Sequence, residues 1–395
     1  MKYDFDRIID RRDTCSIKYN PAARGKPVDV LPLWVADMDF SIPPCVSEAL
    51  EERVKHGIFG YSEPDAAYFS AVHGWFEKRF GWHAEKEWLT ITPGVVNALY
   101  IAVHALTEPG EGVVIQQPVY YPFETCVVQT GRKLLVNELV YKDGTHGIDF
   151  EDFENKIKQA KLFILCNPHN PGGRVWTGDE LMRMGEICLK HKVIVVSDEI
   201  HQDFVYPGYR HLVFAGLDPR FAEMTVTCTS PSKTFNLAGL LHANIFISNK
   251  ILQDKFKREY ASCGLSQPGV MGLVSCRAAY ESGAEWVDEL VKYLKGNLLF
   301  LQEFLQTRIP KIKFTLPEAT YLAWLDCSEL GLSASELNNL ITQKAKLWLN
   351  DGPSFGAGGK GFQRLNAACP RVVLEEALGR LAVFAPELPS FVKYP

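Results

Sequence analysis

Short apolar runs alternating with stretches of helical spacing constrain this chain more than any other feature. Residues 112–116, 161–166 and 193–196 form such runs, and further strands are expected near 224–229 and 243–248. A strand buried on both faces reads as continuously apolar rather than alternating. Between and before these runs, helical spacing covers residues 46–56, 64–80, 95–106 and 178–190, with another helix after Tyr120. The pattern predicts an α/β fold: a large doubly wound, mostly parallel sheet with helices on both faces. At 395 residues the chain suits two domains. Residues 1–45, with prolines at 21, 27, 32, 43 and 44, are expected to be an irregular arm packing with the small domain. Residues 46–285 would form the large domain. A long helical stretch at 286–308 then opens a smaller α+β domain, 286–395.

Ligands in such sheets bind where strands end and helices begin. Four polar clusters fall at those ends: Thr92-Pro-Gly94, Asn167 to Gly173, Asp198 to His201 and Ser230 to Lys233. Lys233 follows an apolar strand and two serines. Asp198 ends another strand thirty-five residues upstream. A lysine can hold an aldehyde cofactor as a Schiff base, and a carboxylate can keep a pyridine nitrogen protonated. The pair therefore points to a pyridoxal phosphate (PLP) site in the large domain. Glu199 should point to the other face, since strand neighbours alternate.

Each residue also has a plainer reading. Lysines are usually solvated, and an aspartate at a strand end is most often a helix N-cap. The Asn-Pro-His-Asn-Pro-Gly-Gly segment makes a tight turn whatever else it does. Within it, the Asn170 amide can donate to the cofactor's phenolate oxygen. His201 is a candidate for the same oxygen, and equally a satisfied histidine at a helix start. Gly94 opens a helix, so the N–H groups of Val95 and Val96 would face an anion there. Ser230 and Ser232 add hydroxyls. Tyr120 can stack on a flat ring or be plain core. Arg364 offers a fork that matches a carboxylate, or a surface ion pair.

The remaining signals exclude rather than assign. Net charge is −5 with both signs interspersed, so no basic stripe marks a nucleic-acid binder. The apolar runs are too short to cross a bilayer. The opening residues are charged and lack a signal-peptide core. The ten cysteines are scattered with no CxxC pair, which argues for neither a disulfide framework nor a metal site. They fit a reduced, cytoplasmic protein.

These residues resemble those of fold-type I PLP enzymes, the aspartate aminotransferase superfamily, over nearly the whole chain. Within it, the chain resembles the MalY/PatB type of cystathionine β-lyase. The markers are Tyr3-Asp-Phe-Asp-Arg-Ile, Leu33-Trp-Val-Ala-Asp-Met-Asp-Phe40, Phe59-Gly-Tyr61, Asp198-Glu-Ile-His201 and Arg364-Leu-Asn. The resemblance implies a homodimer with active sites at the interface. It makes Lys233 the Schiff-base residue, Asp198 the ring-nitrogen partner, Asn170 the phenolate contact and Tyr120 the stacking ring. It also implies that Arg364 binds the substrate carboxylate and that the backbone near Ala36 closes over the substrate. Tyr61, the second catalytic assignment, would reach the neighbouring subunit's phosphate. Two positions depart from the wider superfamily: Leu241 stands where many members have arginine, and His201 where many have tyrosine. The implied reaction is α,β-elimination of sulfur amino acids such as L-cystathionine, giving a thiol, pyruvate and ammonia. An aminotransferase on the same scaffold, and a regulatory binding protein retaining it, are the competing readings.

Overall fold

A computed structural model describes residues 2–382; residues 383–395 of the expected small domain lie outside the described residues. The chain divides into two compact units. The larger comprises residues 41–291, with 318–320 and residues 2 and 3. The smaller comprises 4–40, 292–317 and, among the described residues, 321–382.

The larger unit is built on seven strands: β1 (Leu89–Thr92), β2 (Gly112–Gln117), β3 (Lys133–Glu138), β4 (Ala160–Cys166), β5 (Ile194–Asp198), β6 (Thr225–Thr229) and β7 (Ala243–Phe246). Their order in the sheet is β1-β7-β6-β5-β4-β2-β3. All run parallel except β7, which is antiparallel to both β1 and β6. The apolar pattern reveals β2, β4, β5, β6 and β7 but not the direction of β7. It also does not pick out β1, or the edge strand β3, whose burial is patchy along its length.

Helices α1 (Pro44–His56), α2 (Ala66–Phe80), α3 (Val95–Leu106), α4 (Pro122–Gln129), α5 (Phe150–Ile157) and α6 (Gly178–His191) follow in chain order. Two cores result, one on each face. On one, Ala98, Leu99 and Ala102 of α3 pack with Ile164, Val196 and Val226. On the other, Phe153 of α5 and Leu181 of α6 pack with Phe163, Leu165 and Val195. Alternate residues of β4 and β5 thus serve opposite cores, which is why these strands read as unbroken apolar runs. Helix α6 begins with a capping box. The Thr177 hydroxyl accepts from the Glu180 N–H at 3.2 Å, and the Glu180 carboxylate accepts from the Thr177 N–H at 2.8 Å. A long helix, Ala284–Arg308, contains the division between the units, which falls after Val291.

The smaller unit holds a three-stranded antiparallel sheet: β8 (Leu322–Asp326), β9 (Asn350–Asp351) and β10 (Phe362–Asn366), ordered β8-β10-β9. The N-terminal segment is woven into this unit. Leu31–Pro32 pairs in parallel with Leu347–Trp348, and the Asp39 N–H donates to the Ala368 carbonyl at 3.0 Å. Beneath it, Lys18 is 0% exposed, and its ammonium lies 2.7 Å from Asp39 Oδ2. Arg11 reaches both Asp37 and Asp39. The two aspartates of the Trp-Val-Ala-Asp-Met-Asp-Phe string therefore hold the segment in place. No helix among the described residues is long and apolar enough to cross a membrane.

Removing one partner of a buried ion pair strands the other charge. Asp39→Ala is therefore expected to lower unfolding free energy by about 3–5 kcal/mol in urea titrations, through the Lys18 charge left in the interior.

Candidate active site

Parallel pairing sets Cys166, Asp198 and Cys228 side by side at the ends of β4, β5 and β6. Side chains in such a row share a face. Asp198 is buried there, and its Oδ1 accepts the Ile200 N–H at 3.1 Å. No helix starts after it; Ile200 to Asp203 form consecutive turns. The N-cap reading of Asp198 and the helix-start reading of His201 are thereby corrected: β5 runs into tight turns in which Gln202 N–H donates to Glu199 and Phe204 N–H to His201. His201 is buried.

Burial pushes the Asp198 carboxyl up to about 7, and the neighbouring Glu199 charge adds to this. The Ile200 N–H and the Lys233 ammonium pull the other way. A carboxylate in that position is stabilised by a further cation, such as a protonated pyridine nitrogen. The site's electrostatics thus fit the group that the sequence implied.

Glu199 lies on the opposite face, as strand alternation requires, and is fully buried. Its carboxylate accepts from the Ser197 hydroxyl at 2.7 Å and the Phe214 N–H at 3.0 Å. His211 Nε2 lies 2.9 Å from its other oxygen. Sequence reasoning did not single out His211. Its tie to Glu199 spans twelve residues of irregular chain and leaves no periodic signal.

Lys233 is half-buried in a single helical turn, α7 (Pro231–Thr234). Ser230 caps this turn, accepting the Ser232 N–H at 3.0 Å while donating its own proton to the His242 carbonyl at 2.6 Å. Its hydroxyl is thus engaged in holding the lysine's turn. The half-buried Ser232 hydroxyl lies 2.8 Å from it.

The turn after β4 joins three of the expected residues through backbone bonds. The Asn167 N–H donates to the Asp198 carbonyl at 2.9 Å, and the Tyr120 N–H to the Asn170 carbonyl at 3.1 Å. The Asn170 N–H approaches Cys166 Sγ at 3.4 Å. Helix α3 starts at Gly94, whose extended φ of 173° suits any residue. A Cβ there would meet nothing within 4 Å. In the first turn the Val95 and Val96 N–H groups lack intrahelical acceptors. Those donors fit a phosphate.

Two expected residues belong to the smaller unit. Arg364 is buried on β10 rather than in a surface ion pair, which corrects that reading. Its guanidinium donates to the Trp34 carbonyl at 3.0 Å and to the Asn350 amide oxygen, and it sits over the Phe355 ring. The Ala36 carbonyl accepts from the Tyr321 hydroxyl at 2.9 Å. Tyr61 lies in the irregular link between α1 and α2 and is 96% exposed.

Residues 28–381 match the family model for aminotransferase class I and II. The chain is 46% identical to cystathionine beta-lyase PatB of Bacillus subtilis (strain 168), covering 96% of this chain and 98% of the relative. It is 33% identical to protein MalY of Escherichia coli (strain K12), with the same coverage. Among solved structures it resembles cystalysin from Treponema denticola, which contains a pyridoxal 5'-phosphate cofactor. There the TM-score is 0.95 and identity 36%, covering 98% of this chain and 100% of the other. It also resembles the PLP-bound C-S lyase from Staphylococcus hominis, with TM-score 0.91, identity 32% and 98% of each chain covered.

The Asp198 shift carries a signed expectation for the cofactor-free chain. Between about pH 4 and pH 7 the folded state keeps a proton that the unfolded state has lost, so stability falls as pH rises. The penalty is absent below the unfolded value near 4 and complete above the folded value of about 7. Asp198→Asn should remove a few kcal/mol of this pH dependence in urea unfolding, and added cofactor should reduce it in the parent chain.

Proposed function

The chain belongs to the aminotransferase class I and II family, and from that membership we propose a PLP-dependent carbon–sulfur β-lyase of the cystathionine β-lyase type. It cleaves sulfur-containing L-amino acids such as L-cystathionine to a thiol, pyruvate and ammonia. The observation that carries the cofactor part of the reading is the buried Asp198 carboxyl at the end of β5, in a site that also holds the Lys233 cation. Relatives named as cystathionine β-lyases and C-S lyases, matched along nearly their whole length, support it.

When bound, pyridoxal phosphate supplies an electron sink that makes the substrate's Cα–H acidic. The chain's own residues do the rest. The Lys233 amine would hold the aldehyde, and it is the base that would move the substrate's Cα proton. Asp198 would keep the pyridine nitrogen protonated. Tyr120 would lie against the ring, and Asn170, with His201 as the alternative, would donate to the phenolate oxygen. The Val95 and Val96 N–H groups, Ser232 and Tyr61 of the partner subunit would hold the phosphate, while Ser230, its hydroxyl already bonded to the His242 carbonyl, would fix the turn that carries Ser232 and Lys233. This set answers the absence of an arginine at position 241. Arg364 forks the substrate carboxylate while the Ala36 backbone covers the substrate. A thiolate leaves from Cβ; thiols have a pKa of about 8.5, so the anion departs readily near neutrality. The released three-carbon enamine takes up water to give pyruvate and ammonia.

Homodimerisation and a cytoplasmic location belong to the same proposal. The exposed Tyr61 ring, beside exposed Ile58 and Phe59, supports the first. Ten free cysteines support a reducing compartment.

L-Cystathionine supplied without any 2-oxo acid should give equal amounts of pyruvate and free thiol. Conversion of the cofactor to its amine form without thiol release would instead make the protein an aminotransferase. Lys233→Ala should lower turnover by about 10³-fold or more, since it removes the group that moves the proton. A second expectation tests the shared site. Chains carrying Lys233→Ala and chains carrying Tyr61→Ala, each inactive alone, should recover activity when refolded together, because a mixed dimer restores one complete site. No recovery would place Tyr61 outside the partner's site.

A further inference from the structure

Helix α2 ends at Gly81, whose φ of 65° turns the chain back on the helix. His73 and Glu77 stand four residues apart on α2 and so share one face. The reversal at Gly81 brings His83 onto that face. Its Nδ1 lies 3.6 Å from Glu77 Oε2, and its ring meets that of His73 edge-on at 4.5 Å between centroids. One ligand atom from each of His73, Glu77 and His83 lies within 4.8 Å of the others. The other ring nitrogen of His83 is 3.2 Å from Glu85 Oε1.

We propose that His73, Glu77 and His83 bind a divalent transition-metal ion of the zinc class, with Glu85 as the outer partner of His83. Two imidazoles and a carboxylate are ligands that zinc takes, with a fourth position left to water. Magnesium and calcium prefer all-oxygen sets, which excludes them here. Metal-binding histidines usually donate their second ring N–H to a carboxylate, which fixes the tautomer and leaves the ligating nitrogen bare. Glu85 stands where that partner belongs. A charged His83 clamped between Glu77 and Glu85 would explain those three side chains but not His73. No side-chain hydrogen bond or ion pair among the described residues engages His73, and a second charged ring beside His83 would repel it. One shared cation accounts for all four.

Zinc holds its ligands at about 2.0–2.2 Å, which would draw the three atoms to roughly 3.4 Å from one another. Glu77 and His83 are exposed and free of core packing, so rotations about their side-chain bonds suffice. The same histidines line a cleft of about 360 Å³ with Phe69, Ser70 and Lys86, which gives water and small ligands access to the fourth position. None of the four residues belongs to the cofactor or substrate set above. The site therefore stands whether or not the lyase reading does. Its effect is to staple the end of α2 to the turn that follows.

The test uses untagged holoenzyme titrated calorimetrically with Zn²⁺, with Co²⁺ as an optical probe. One ion should bind per chain, with the visible bands of Co²⁺ on nitrogen and oxygen ligands. His73→Ala and His83→Ala should each weaken binding by about tenfold or more, and Glu85→Gln by about 10- to 100-fold. Lyase turnover should be unchanged in all three. Folding of each variant is checked by its thermal transition without metal. Absence of binding in the parent chain overturns the proposal. So does binding that survives His73→Ala at full affinity, or Co²⁺ bands that show thiolate ligation at the exposed Cys15 or Cys263.

Discussion

A carboxylate kept from water at the end of β5 governs the larger unit. Asp198 sits between two cysteines, above an apolar core, with another carboxylate on the next residue. Such a group is costly to ionise unless something positive shares its surroundings. Lys233 supplies part of that charge. Under the proposed function, a protonated ring nitrogen would supply the rest when the cofactor is bound. The surroundings are rigid: the Asp198 carbonyl is tied to Asn167, and the turn containing Asn167 is tied through Asn170 to Tyr120. The groups expected around one planar ring are thus fixed by backbone bonds rather than by side-chain choice.

Much of this was legible in the sequence because burial on both faces of a sheet leaves a long apolar signature. The strands ending at Cys166 and Asp198 and the helix starting at Val95 were placed within a residue or two. The antiparallel direction of β7 was not legible, since an apolar run carries no arrow. Strand β3 was missed because an edge strand is only partly buried. Glu199 was assigned to the opposite face by alternation alone, but its partner His211 comes from an irregular segment. The helix starts imagined at Asp198 and His201 failed because the chain there closes turns instead.

The small unit teaches a different lesson. The Trp-Val-Ala-Asp-Met-Asp-Phe string stood out as a marker, yet nothing in its spacing told what its aspartates do. Asp37 and Asp39 hold Arg11 and Lys18 from the N-terminal segment. Asn366 donates to the Val35 and Asp37 carbonyls, so β10 fixes the same stretch of backbone that includes Ala36. Arg364 lies two residues away on β10, bonded to Trp34. A residue expected to grip substrate and a backbone expected to cover it are therefore positioned by one strand. The cluster of His73, Glu77 and His83 escaped for a related reason. Scanning cysteine spacing cannot find histidines that meet only after a helix ends and the chain doubles back.

The two cysteines beside Asp198 bear on the proposed reaction, whose product would be a thiol. Thiol–disulfide exchange requires a thiolate and a path for the attacking sulfur. Burial, reinforced by the Asp198 charge, pushes the Cys166 and Cys228 thiols far above their ordinary value, and both are closed to solvent. They remain protonated and inert at any physiological pH. Neither sulfur is therefore set up to attack a disulfide brought in from solution.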